Sequence, residues 1–209
     1  MKDRIFAIAH YADAGVLYLL IALSLMSLAI IVERFFRLQS LAKVSASQRH
    51  ILEQTVRNQQ VDRLNEVALD PQSLEGEALE QALRHIDKNG LKGLAETFDT
   101  YVQFQQPRLE KSLTFLATVG SNAPYIGLFG TVLGIMKSFY DLSQASDAGQ
   151  QTVMAGISAA LIATAAGLMV AIPNILAYNY FQKIVKSIIG GLYNCRDLTL
   201  AYAKLKGHQ

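Results

Sequence analysis

The sequence predicts an all-α membrane protein, with three transmembrane helices and long cytoplasmic helical extensions. Three observations predict it. Apolar residues are gathered into three blocks, 14–32, 112–136 and 148–182, that contain no Asp, Glu, Lys, Arg or His. Each block reaches the roughly 20 residues that cross a hydrocarbon core of about 30 Å at 1.5 Å per residue. The region between the first and second blocks is charged, and it holds no Gly or Pro from Leu41 to Asp70, as long helices require. The whole chain of 209 residues is 51% apolar and 17% charged, more apolar than an ordinary soluble domain.

The elements follow in order. Residues 1–13 precede the first span, which is expected over 14–36. Lys2 and Arg4 before an apolar run also suit a secretory signal, but 19 residues without a charge exceed the usual apolar region of about 7 to 15. Glu33, Arg34 and Arg37 follow in place of a small-residue cleavage site, so a retained anchor is expected. Residues 37–107 read as a helical domain. A first helix with an irregular apolar face (Ile51, Leu52, Val56, Leu64, Val67) should end near Asp70-Pro71, because proline disfavours helical geometry in the residue before it. A second helix fits 73–88, capped by Ser73 and stopped by Asn89-Gly90, with Leu79, Ala82, Leu83 and Ile86 on one face. The pattern resumes after Gly93, and Pro107 suits the start of a helix leading into the second span, expected over 108–140. A hairpin over 141–151 joins it to the third span at 152–181. The remainder, 182–209, continues as a helix interrupted at Gly190-Gly191, with Tyr178 and Tyr180 at the level of an interfacial aromatic belt. Pro124 and Pro173 are expected to kink their spans.

Lys and Arg set the orientation. Two precede the first span, 11 fall between Arg34 and Lys111, one lies between the second and third blocks, and five follow the third. By the positive-inside rule the large loop and C-terminal tail are cytoplasmic, while the N-terminus and hairpin are outside. In a bacterium this is a multi-pass protein of the inner membrane. A single Cys195 excludes an internal disulfide, and the scattered His10, His50, His85 and His208 give no metal cluster. No metal, cofactor or enzymatic chemistry is expected. The loop's basic residues are interleaved with acids, as on a solvated helical face rather than a nucleic-acid site. "GLFGTVLG" lacks the Lys-Ser/Thr of a phosphate loop.

Two small-residue stripes remain. Gly120, Ala123, Gly127, Thr131 and Gly134 share one face of the second span, and Gly156, Ala160, Thr164, Gly167 and Ala171 share one face of the third. Smooth faces let helix backbones approach closely, so one reading is simple packing of the two spans. The other is a pore wall that contacts an enclosed helix without locking it. A threonine in a membrane helix commonly bonds a carbonyl one turn back. Thr131 and Thr164 at mid-span also fit a polar ring in an ion path.

"APYIGLFGTVLGIMKSF" (123–139) and "GISAALIATAAGLMVAIPNILAYNYF" (156–181) resemble the signature of the second and third spans of the ExbB/TolQ/MotA family, and the three-span layout resembles its ExbB/TolQ branch. The resemblance implies a homopentameric ring whose second and third spans surround two transmembrane helices of an ExbD/TolR-like, single-span partner carrying a transmembrane Asp. It implies an ion channel energised by the proton motive force, which passes motion to a TonB- or TolA-like protein in outer-membrane transport, or drives another envelope machine such as a gliding stator. It places Thr131 and Thr164 in the ion path. Gly127, Gly134, Gly156, Ala160 and Gly167 of the two stripes are expected to line the pore and pack on the partner's helices. One departure stands out. Where many ExbB and TolQ proteins have Glu in "GI-x-E-A-L", this chain has Ala159. A membrane scaffold that conducts nothing is therefore the competing expectation. A small-solute transporter is disfavoured, because the spans offer no charged or broken-helix ligands.

Overall fold

A computed structural model of the protein describes residues 2–57, 70, 73–144 and 149–205. All secondary structure among the described residues is helical: α1 (Lys2–Arg57), α2 (Leu74–Asn89), α3 (Leu94–Glu110), α4 (Leu113–Gln144) and α5 (Gly149–Leu205). Three of these, α1, α4 and α5, are long and apolar enough to cross a membrane. The 56 residues of α1 and the 57 of α5 each exceed twice the length that crossing needs.

The chain divides into two compact units. The first comprises Met1–Val32 with Ser112–Asn179, and the second Glu33–Lys111 with Tyr180–Gln209, so α1 and α5 contribute to both. In the first unit Val16 and Leu20 of α1, Val119, Ala123 and Leu133 of α4, and Val170 and Ala171 of α5 share one apolar core. Its outer surface is also apolar: Tyr18, Ile21, Leu25, Leu128, Leu161 and Leu176 are all exposed. A soluble surface seldom carries such a patch, and lipid covers it without cost.

The second unit is built around α2 and α3. Ser73 caps α2, its Oγ accepting a hydrogen bond from the Gly76 N–H at 2.8 Å. At the other end the Gly90 N–H reaches the Ile86 carbonyl at 2.9 Å with φ of 67°, a conformation glycine adopts without penalty. Leu79 and Ala82 of α2, Phe98 and Val102 of α3, Leu52 of α1 and Leu192 of α5 close the core.

Two local expectations are corrected. Pro107 does not start a helix: it lies inside α3, which runs on to Glu110. The carbonyl freed by its missing N–H belongs to Gln103, which is exposed, so water can satisfy it. The chain breaks instead at Ser112, which has φ of 64°. Nor do Gly190 and Gly191 interrupt α5. Gly191 is buried against Ser45, Arg49 and Glu75, and this packing holds the helix where propensity alone would weaken it. The apolar positions at Leu64 and Val67 and the expected stop at Pro71 lie outside the described residues.

Candidate functional site

The site lies in the first unit, where α4 and α5 run antiparallel at very short range. Gly120 meets Asn174 and Ile175, Gly127 meets Ala163 to Gly167, and Ser138 meets Gly156. A Cβ on Gly127 would lie 2.7 Å from the Ala163 carbonyl oxygen, and one on Gly167 only 2.6 Å from that of Ala123. Only hydrogen fits between these backbones. Gly134 and Ala160 are buried too, and the Gly134 carbonyl accepts a hydrogen bond from Ser138 Oγ at 2.8 Å.

This close approach brings the two threonines together. Thr131 Oγ1 and Thr164 Oγ1 are 3.1 Å apart. Thr131 donates to the Leu128 carbonyl at 2.7 Å, and Thr164 reaches across to the Gly127 carbonyl at 3.3 Å. Each hydroxyl has one proton and two lone pairs. The pair therefore keeps acceptor capacity after its internal bonds are made, which a cation, a water or a protonated carboxyl can use. Thr131 is only 7% exposed, whereas Thr164 is half-open.

The stripes chosen from the sequence thus face each other within one chain. Their Gly127, Gly156 and Gly167 are consumed by the α4–α5 seam, and Ala160 is 1% exposed. A different smooth surface faces outward. Ala155, Ser158, Ala159, Ile162 and Ala165 are exposed on one side of α5, while Leu161, Leu168, Ile172 and Leu176 occupy another exposed side. Ala159 thus stands on the outer small-residue face. The N-terminal half of α4 also exposes Thr114, Thr118, Ser121 and Asn122. Three of them satisfy themselves on backbone: Thr118 on the Thr114 carbonyl at 2.9 Å, and Ser121 and Asn122 on the Thr118 carbonyl at 3.1 and 2.8 Å.

Asn174 was not singled out from the sequence. It is 2% exposed, and its Nδ2 donates to the Val170 carbonyl at 2.8 Å, leaving Oδ1 without a partner. Its signal was an amide directly after Pro173 in an otherwise uncharged, apolar run. No group of metal-ligating side chains occurs among the described residues.

Residues 70–193 match the MotA/TolQ/ExbB proton channel family. Biopolymer transport protein ExbB of Neisseria meningitidis is 33% identical over 183 residues, covering 82% of this chain and 83% of that protein. The chain belongs to the MotA/TolQ/ExbB proton channel family. The Tol-Pal system protein TolQ of Pseudomonas aeruginosa is 46% identical over 118 residues, 56% of this chain and 51% of that protein. A putative ExbB-like protein of Helicobacter pylori is 56% identical over 75 residues, 36% of this chain and 50% of that protein. The chain spans about half the length of the latter two relatives. The family is one of proton channels rather than enzymes, and membership together with the three apolar helices makes this a multi-pass membrane protein.

Proposed function

We propose that the protein is the ring-forming subunit of an inner-membrane motor driven by the proton motive force. Five copies surround two helices of an ExbD/TolR-like partner, and the motor energises a TonB- or TolA-like protein in outer-membrane transport or envelope maintenance. The N-terminus and the α4–α5 connection face the periplasm, and the second unit and C-terminus face the cytoplasm. The observation that carries the reading is the Thr131–Thr164 pair, set at 3.1 Å in a bundle without a charge from 148 to 182. Such a wall offers hydroxyl oxygens but no acid. The titrating carboxyl must come from the partner's transmembrane Asp, as the alanine at 159 also requires. Gly127, Gly156, Ala160 and Gly167 then serve the ring indirectly, by holding α4 and α5 close enough for the hydroxyls to meet. The outer face of Ala155, Ser158 and Ala159 is the surface on which a partner's helix can turn.

The test is proton flux in liposomes containing the protein co-purified with the single-span product of a neighbouring gene. Thr131→Val and Thr164→Val are expected to abolish flux while leaving the assembly intact. A monomer in mild detergent, or unaltered flux in both variants, would refute the reading. Ala159 favours one alternative, a ring that anchors cytoplasmic or envelope partners, including a gliding stator, without conducting. That alternative predicts no flux in the wild type.

A further inference from the structure

Arg34 is the largest fully buried side chain among the described residues, at 1% exposure, and its Nε finds no hydrogen-bond partner. A guanidinium stays charged at any biological pH, and an unpartnered buried charge is costly. Of the charges beside it on α1, Glu33 favours the ionised form and Arg37 opposes it, and neither bonds Nε. Arg34 lines a cavity of about 500 Å³ in the second unit, together with Arg37, Arg108, Ser40, Gln105 and Glu77, the rest of the wall being leucines. That volume lies in the ordinary range for a bound small molecule.

Charge favours an anion there. Three guanidinium groups face one carboxylate, and that carboxylate is engaged elsewhere, Glu77 Oε2 accepting a hydrogen bond from the Tyr101 hydroxyl at 2.7 Å. Arg84 and Arg196 form ion pairs, but none of the three cavity arginines does so among the described residues. Position narrows the choice further. Arg34 lies two residues past Val32, the last of the uncharged run on α1. When that run crosses a membrane, Arg34 and Arg37 are at the level of the phospholipid headgroups. Arginine forks match phosphate oxygens in pairs, and Leu38, Leu41 and Leu109 supply the apolar wall that the glycerol and upper acyl carbons require.

We propose that Arg34, Arg37 and Arg108 form a phosphate-binding site. The leucines of the same cavity make the phosphodiester of an anionic phospholipid the fitting source, and free phosphate is the source to be distinguished from it. The site rests on the reading of α1 as a membrane span, though not on the ion path. A bound headgroup would clamp α1 to α3 across the cavity and couple the second unit to the leaflet.

The experiment uses the full chain in neutral detergent. Native mass spectrometry measures retention of dioleoyl phosphatidylglycerol against dioleoylglycerol, which has the same chains and no phosphate. A parallel arm titrates inorganic phosphate at constant ionic strength and follows thermal unfolding. Arg37 and Arg108 are exposed, so Arg37→Gln and Arg108→Gln test the site without touching the core. Each is expected to lower phosphatidylglycerol retention about fivefold, with dioleoylglycerol unaffected. Arg34→Gln should lower it further and Arg34→Lys should recover part of it. A thermal shift with inorganic phosphate that is lost in the double variant, without lipid retention, assigns the site to free phosphate. Equal behaviour of wild type and double variant in both arms overturns the proposal. Failure of the membrane reading shows separately, as release of the protein from membranes by alkaline carbonate.

Discussion

Two adjacent glycines on α5 make opposite predictions. Nothing lies within 4 Å of a Cβ built on Gly190, whereas one on Gly191 would meet Glu75 Oε1 at 2.9 Å and Ser45 Oγ at 3.2 Å. Gly190→Ala removes a flexible residue from a helix interior and is expected to stabilise by about 0.5–1 kcal/mol. Gly191→Ala forces the buried Ser45–Glu75 contact apart, with an expected cost of about 1–3 kcal/mol. Thermal midpoints of the two purified variants should therefore move in opposite directions, and movement in the same direction contradicts the packing described. Gly167→Ala is expected to cost as much as Gly191→Ala, because its Cβ would press on the Ala123 carbonyl oxygen at 2.6 Å, an atom that moves only with α4 itself. The same variant should weaken the contact between Thr131 and Thr164, so proton flux is expected to fall along with the midpoint.

At the scale of the element, α2 shows which parts of the fold were legible in the sequence. Its start at Ser73, its stop at Gly90 and its apolar face were all readable, because caps and periodicity are local. The role of Glu75 was not. The residue sits in the first turn, where the helix dipole favours a carboxylate. Three other helices enclose it completely, and they bring Arg49 from α1, Tyr101 from α3 and Cys195 from α5 into its surroundings. Burial pushes the carboxyl above its ordinary range, and the Ser45 hydroxyl, a backbone N–H and Arg49 recover only part of that shift. The folded state thus holds the proton more tightly than the unfolded chain. The associated stability is complete below the ordinary carboxylate range and is lost as pH rises through the folded-state value. The thermal midpoint should therefore fall as pH rises above the ordinary carboxylate range. Glu75→Gln, which keeps an acceptor for Ser45, should flatten that slope and melt higher than the wild type at the alkaline end. A wild-type slope unchanged by the substitution rules this account out. The sequence misled in the same way at Gly191, where contacts from distant residues outweighed local preference, and in another way at Pro107, where the freed carbonyl is exposed and the proline is tolerated inside α3. The small-residue stripes were located correctly, but periodicity names a face without naming its neighbour. Of the two neighbours considered, the antiparallel helix of the same chain takes most of the stripe. Arg34 was legible as a topological charge, whereas its burial depended on α2 and α3 folding over it.

For the whole molecule, the proposed function makes the wall neutral and the partner acidic, and this division has an energetic basis. A carboxylate at mid-membrane costs about 2.5–3.5 kcal/mol by insertion scales, and a charge crossing 100 mV releases about 2.3 kcal/mol. One acid per crossing helix is therefore affordable to the gradient only if it is protonated or hydrogen-bonded while it faces the wall, and the proposed function makes the hydroxyl pair at 3.1 Å that station. The direction of that gradient relative to the chain depends on topology, and the proposed orientation turns the arginine-rich region following α1's apolar run toward the cytoplasm. Labelling can test it on an otherwise quiet background, since the single cysteine, Cys195, is buried. Ser143 at the end of α4 and Ser47 on α1 are both exposed. In intact spheroplasts a membrane-impermeant maleimide should modify Ser143→Cys at once, and should modify Ser47→Cys only after permeabilisation. The reverse pattern would place the second unit outside and would leave the ion gradient driving the wall from the opposite face.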